Sequence, residues 1–224
     1  MMQKKTPMLI YGTAGASKDA YYWALAHNQQ SKNDSTIIGF VEKDETYIGK
    51  KVFGGLEVVT CDTQMKDFLS FYDKVAVLIP FGAPMLRKKI YENLKMYDNV
   101  IFPNIIHPSA VLMHGTMGQG NLIGPGVVFA SEYNLSNFVY ISIGASLGHD
   151  IILEDYVSIN PGVTTAGNVK IKSGCYIGIG STINQEITIA ANVTVGAGAA
   201  VVNDITKEGI TVVGIPAKEM IRKD

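Results

Sequence analysis

The sequence predicts an α/β domain followed by a parallel β-helix, and three observations carry that prediction. Apolar strand-like segments alternate with helix-like ones as far as residue 103. A six-residue apolar period then runs from Ile105 to Val201. Glycine and β-branched residues take over from helix formers where the period begins.

In the first part, Met8–Tyr11 reads as a short apolar strand that ends at Gly12, and residues 18–30 suit a helix with Ser17 as its N-cap. Thr36–Val41 is the second strand. Asp62 caps a helix through Tyr72, Lys74–Ile79 is a buried strand, residues 84–97 are helical, and Asn99–Phe102 is the last strand. Strands separated by helices imply a parallel sheet. Arg87, Lys88 and Lys89 read as a solvated face of the last helix.

In the second part, stepping by six from Ile105 gives Ile105, Val111, Met117, Ile123, Phe129, Leu135, Ile141, Leu147, Leu153, Ile159, Thr165, Ile171, Ile177, Ile183, Ile189, Val195 and Val201. Only Thr165 is not large and apolar. At 47% apolar composition, chance gives this on the order of 10⁻⁴ of the time even with six frames to choose from, so the period is real. A second set four residues on, such as Val127, Val139, Ile151, Val163 and Val193, is small or β-branched. Side chains two apart on a strand share a face, so both sets point inward. The residues between are often Gly, Asn, Asp or Pro and make the bends. Each coil of such a chain buries its apolar residues only by stacking on the next. The frame is expected to hold from 105 to 205 with no long loop.

Bulk properties narrow the function. The chain has 224 residues and a net charge of −1, with a sequence pI near 6.4. No basic excess points to nucleic acid or to an anionic membrane surface. Charged residues make up 17%, a lean surface that suits an oligomer. Cys61 and Cys175 read as free thiols. No segment approaches the length of a signal peptide's apolar region or of a spanning helix, so the expected location is the cytoplasm. His27, His107 and His114 read as structural or surface residues, and no residue spacing suggests a metal site.

Several motifs carry a more specific resemblance. They are Asn104–Ala110 at the junction, Gly148-His-Asp150, Ala166–Ile171, Val195–Ala199 and Gly214–Lys218. In this order, behind a small α/β domain, they resemble the hexapeptide-repeat acyltransferases, in particular the sialic-acid O-acetyltransferase and bacillosamine N-acetyltransferase group. The resemblance implies a Rossmann-like domain over 1–103 that holds a nucleotide-linked amino sugar. It implies a left-handed parallel β-helix over 104–224, with a short C-terminal tail, that holds acetyl-CoA between subunits of a homotrimer. It makes His149 the general base and Asp150 its orienting acid. Acetyl-CoA contacts fall on Ser158, Gly167, Ile179 and Ala197, although some members carry histidine at Ser158.

The period supports part of this placement. Three hexads per coil put Gly167 one coil beyond His149 on the same corner, where its N–H could bind a thioester oxygen. Pro161, Ile179, Ala197 and Ile215 form an apolar column on another corner that suits a pantetheine arm. The loop Gly12–Ser17 stands between strand and helix, where a phosphate would bind. It departs from the Gly-His-Gly run more common in the group. Either a nucleotide-sugar pocket forms around Ala14, Gly15, Ala16, Glu42 and Lys43, or a scaffold remains with altered ligand specificity. Three functions compete: N-acetylation of a nucleotide-linked amino sugar, O-acetylation of sialic acid or another glycan hydroxyl, and a non-catalytic trimer scaffold. The intact Gly148-His-Asp150 argues against the last.

Overall fold

A computed structural model describes residues 5–31 and 35–221. The first part is a five-stranded parallel sheet of order β3-β2-β1-β4-β5. Its strands are β1 (Thr6–Tyr11), β2 (Ser35–Glu42), β3 (Val58–Cys61), β4 (Val75–Leu78) and β5 (Val100–Ile101), with helices α1 (Gly15–Ser31), α2 (Met65–Leu69) and α3 (Pro84–Leu94). The order reverses at β1, which leaves a crevice beyond the carboxyl ends of the strands. β1 and β4 are buried on both faces, as crossover helices require. The strand β3 has no counterpart in the sequence reading.

Two expected caps are absent. α1 starts at Gly15, so Ser17 lies within its first turn, and its hydroxyl donates to Tyr11 O at 2.8 Å. Asp62 opens a 3₁₀ turn and caps nothing, because its side chain turns toward Tyr11.

The second part is a left-handed parallel β-helix, whose three sheets are built from two- and three-residue strands. Partners 18 residues apart stack in register, for example Tyr140↔Ser158↔Tyr176↔Thr194. The interior is a continuous apolar column in which Ile141, Ile159, Ile171, Ile177 and Val195 have no exposed surface. From Gly120 to Gly198, one residue in every six takes a positive φ, including Glu132, Phe138, Asp150, Tyr156 and Asn168. That bend lets a short strand turn the corner.

The frame does slip once, at the first coil. Ile106 pairs with Ile123, and Leu112 with Phe129, 17 residues apart; the spacing of 18 begins at Met117↔Leu135. Ile106 and Leu112 therefore approach the interior, while Val111 is exposed. Ile105 is buried instead among Met8, Ile10, Trp23 and Tyr140 of the junction. The slip gives Ile105 to the α/β core.

Packing fastens the two parts together. Trp23 stacks on Tyr140, and Phe102, Phe138, Tyr156 and Tyr91 form an aromatic cluster. Arg87 is the main correction to the sequence reading: it is 1% exposed, not solvated. Its guanidinium donates to Phe138 O, Tyr156 O and Val157 O of the β-helix, to Phe81 O, and to Ser158 Oγ, at 2.5–3.0 Å. Burial pushes its pKa down to about 9, so the group stays a cation at neutral pH. Among the described residues no helix is long and apolar enough to cross a membrane.

Arg87→Ala should destabilise the chain by roughly 3 kcal/mol or more, since several buried carbonyls lose their donor at ~1–3 kcal/mol each. Arg87→Lys should recover little, because one ammonium cannot span the fork. Denaturant unfolding of both variants checks this.

Candidate functional site

His149 stands at the corner that follows the strand Ser146–Leu147. Its Nδ1 lies 2.7 Å from Asp150 Oδ2. A carboxylate only accepts, so this contact places the ring proton on Nδ1 and leaves the Nε2 lone pair free. Both side chains are about half exposed. Asp150 occupies the positive-φ bend (φ 55°), a conformation aspartate tolerates better than most residues. The same residue thus serves the turn and holds the imidazole.

The ring rests on Gly167 of the next coil. A Cβ at Gly167 would lie 2.3 Å from His149 Nε2 and 2.4 Å from Cε1, so only glycine leaves room. The backbone also ties the corners together, with Asn168 N donating to His149 O at 2.8 Å and Glu186 N to Gly167 O at 3.0 Å. The Gly167 amide itself makes no hydrogen bond among the described residues. A basic nitrogen and an uncommitted N–H therefore stand one coil apart on one corner, a pairing suited to removing a proton from a nucleophile and holding an oxyanion.

The other expected cofactor residues divide. Ile179 is 56% exposed and Ile215 is 80% exposed. With Ala197, also exposed, they line a different corner from His149 and do not meet it within one chain. Ser158 does not fit the expectation. It is fully buried, accepts from Arg87 and donates to Gly82 O at 2.6 Å, so its hydroxyl is committed to the junction and faces no open surface.

A second concavity of about 300 Å³ opens at the carboxyl ends of β1 and β2. Of the expected substrate residues, Glu42 and Lys43 line it, while Ala14, Gly15 and Ala16 lie outside its wall. Thr13 Oγ1 donates to Glu42 Oε1 at 2.6 Å, which sets that carboxylate. Phe81 packs over Gly12, where a Cβ would lie 2.9 Å from its ring. The sequence reading missed Tyr11, Asp62, Phe81, Lys89 and Asn93, which complete the wall. The ends of β1 and β3 were the available signal for Tyr11 and Asp62. Burial raises the Asp62 carboxyl above its ordinary value, opposed by the Tyr11 hydroxyl. Burial first, and then Asp62, raise Tyr11 as well.

Gly167→Ala should keep the fold, because Gly167 does not use a positive φ, yet displace the imidazole. NMR should show the His149 ring resonances shifting while the β-helix core methyls stay in place; an unmoved ring would refute the close contact.

No family model and no curated protein matches the chain. Solved structures do. The acetyltransferase domain of PglB from Neisseria gonorrhoeae FA1090, in complex with acetyl coenzyme A, is 28% identical; the match covers 96% of this chain and 100% of that one, with a TM-score of 0.81. WeeI from Acinetobacter baumannii AYE is 26% identical, with the same coverage and a TM-score of 0.81. Perosamine N-acetyltransferase from Caulobacter crescentus, in complex with CoA and GDP-perosamine, is 24% identical over 96% of this chain and 97% of that one, with a TM-score of 0.86 in a form with one histidine replaced by asparagine.

Proposed function

We propose that this chain, which shares the fold of the hexapeptide-repeat sugar acetyltransferases, transfers the acetyl group of acetyl-CoA to the amino group of a nucleotide-linked amino sugar in surface-glycan synthesis. The observation that carries the reading is the His149 imidazole, tied to Asp150 through Nδ1 and seated on Gly167 with Nε2 free.

A neutral amine attacks the thioester carbonyl carbon. As the C–N bond forms, Nε2 accepts the amine proton, and Asp150 stabilises the imidazolium. The Gly167 N–H donates to the carbonyl oxygen as it gains charge. The C–S bond then breaks, and the departing sulfur takes the proton from Nε2.

Residues 1–103 hold the sugar nucleotide in the concavity lined by Glu42, Lys43, Asp62 and Lys89. Residues 104–224 hold acetyl-CoA, its pantetheine arm along the corner of Ile179 and Ala197. Support for this track, and for a homotrimer that closes it, comes from the exposed apolar residues Ile143, Ile179 and Ile215 in one column. The cytoplasm, where acetyl-CoA and sugar nucleotides are both made, is the setting.

The test is steady-state turnover of acetyl-CoA against UDP-, dTDP- and GDP-linked 4-amino sugars, with sialic acids alongside. His149→Ala should bind acetyl-CoA normally and lose about 10²–10⁴ in kcat with the productive acceptor. Asp150→Asn should lose less, because it still holds the ring. Near-wild-type turnover of His149→Ala would remove the base from this residue. Light scattering should give three times the 24.2 kDa chain mass; a fully active monomer would exclude the shared cleft.

A further inference from the structure

Along the β-helix, the amide that follows each short strand donates to the carbonyl 17 residues on. Ala130 bonds Leu147 O, Ser142 bonds Ile159 O, Glu154 bonds Ile171 O and Ala166 bonds Ile183 O. Between Gly124 and Asn184 this series is broken once, at Gly148. Its amide donates to the Thr165 side chain, at 3.1 Å to Oγ1. The strand pairing shows the same gap. Two residue pairs join Val128–Phe129 to Ser146–Leu147, one pair joins Ser146 to Thr164, and two pairs resume with Thr182–Ile183.

We propose that the Thr165 hydroxyl is a positioning group for His149, drawing the Gly148 amide off the regular ladder so that the imidazole seats on Gly167. This rests on the reading of His149 as the base.

Thr165 is the polar member of the inward set and is 5% exposed. Such a hydroxyl costs stability in an apolar interior unless it is bonded. Its acceptor lies on the side chain, inside the coil, so the Gly148 amide turns toward the interior and away from the strand carbonyl. Gly148 permits that approach because it lacks a Cβ, which would meet Ala166 O at 2.3 Å. The next residue is His149, and the surface its ring rests on is Gly167, two residues beyond Thr165. One side chain thus sets both the residue that carries the base and the strand end beneath it. A valine would suit the interior and leave Gly148 free to bond the residue 165 carbonyl, as its neighbours do.

The experiment compares Thr165→Val, Thr165→Ser and His149→Ala, alone and with Thr165→Val added, using acetyl-CoA and the sugar nucleotide turned over fastest in the panel above. Thr165→Val should keep or raise Tm, leave KM for acetyl-CoA nearly unchanged and lower kcat about 10- to 100-fold, the scale of an ångström-level misplacement. Thr165→Ser should restore kcat. In the His149→Ala background, Thr165→Val should cost nothing further, since groups that act as one unit are non-additive. A crystal structure of Thr165→Val should show Gly148 N on the residue 165 carbonyl and the imidazole displaced from Gly167. Wild-type kcat in Thr165→Val, or an unmoved corner in that crystal structure, would overturn the proposal. So would a kcat loss that comes with a lower Tm and is not recovered by serine. If His149→Ala is inactive while Thr165→Val is active, the positioning role alone fails; if His149→Ala is fully active, the base assignment fails.

Discussion

The backbone hydrogen bonds between successive coils are the constraint on which the rest of the molecule depends. A coil of two-residue strands has no stability alone, because its interior residues would face water and its amides would lack partners. Stacking at 18-residue intervals satisfies the amides and closes the apolar column at the same time. Each fully buried Ile or Leu in that column contributes roughly 1.5–3 kcal/mol, but only while the register holds. The bend residues are drawn into the same arrangement. Asp150, Tyr156 and Asn168 take a left-handed backbone that costs them something individually and that the stacked coils impose.

That rigidity gives the site its geometry. His149 and Gly167 belong to different coils, so their closeness is a property of the stack and not of a loop. A group mounted on such a frame loses little freedom when a substrate binds. The Gly148–Thr165 contact is the place where the frame departs from its own rule, beside the residue with the most chemical character. Local irregularity in a repetitive fold tends to be kept where it serves the site.

Arg87 joins the frame to the sheet. A buried cation with no carboxylate partner is costly, and here its charge is spread over carbonyl oxygens from both parts of the chain. The planar fork reaches several acceptors at once, which a lysine could not. Because Arg87 lies on α3, one turn from the wall of the concavity at Lys89 and Ile90, the junction also sets how the concavity stands relative to the β-helix. Ser158 is committed to the same junction. Where relatives carry histidine at that position, a ligand contact is the natural reading; the serine here is spent on holding the two parts together.

The amino-acid sequence by itself determined the period of six, the inward set, the parallel α/β sheet before it and the pairing of His149 with Asp150, because each is written in local alternation or adjacency. His149 and Gly167 were also legible as neighbours, since a constant 18-residue coil turns sequence distance into spatial distance. Only the tertiary structure decided matters that depend on what lies across a gap of no fixed length. Arg87 and its lysine neighbours look alike in sequence, yet one is buried because the β-helix presents carbonyls to it and Lys89 faces the concavity. The slip at the first coil escaped the period because Ile105 and Ile106 are both isoleucine, so the pattern reads equally well in either frame. Which one enters the β-helix was settled by Trp23 and Tyr140 claiming Ile105 for the core of the junction.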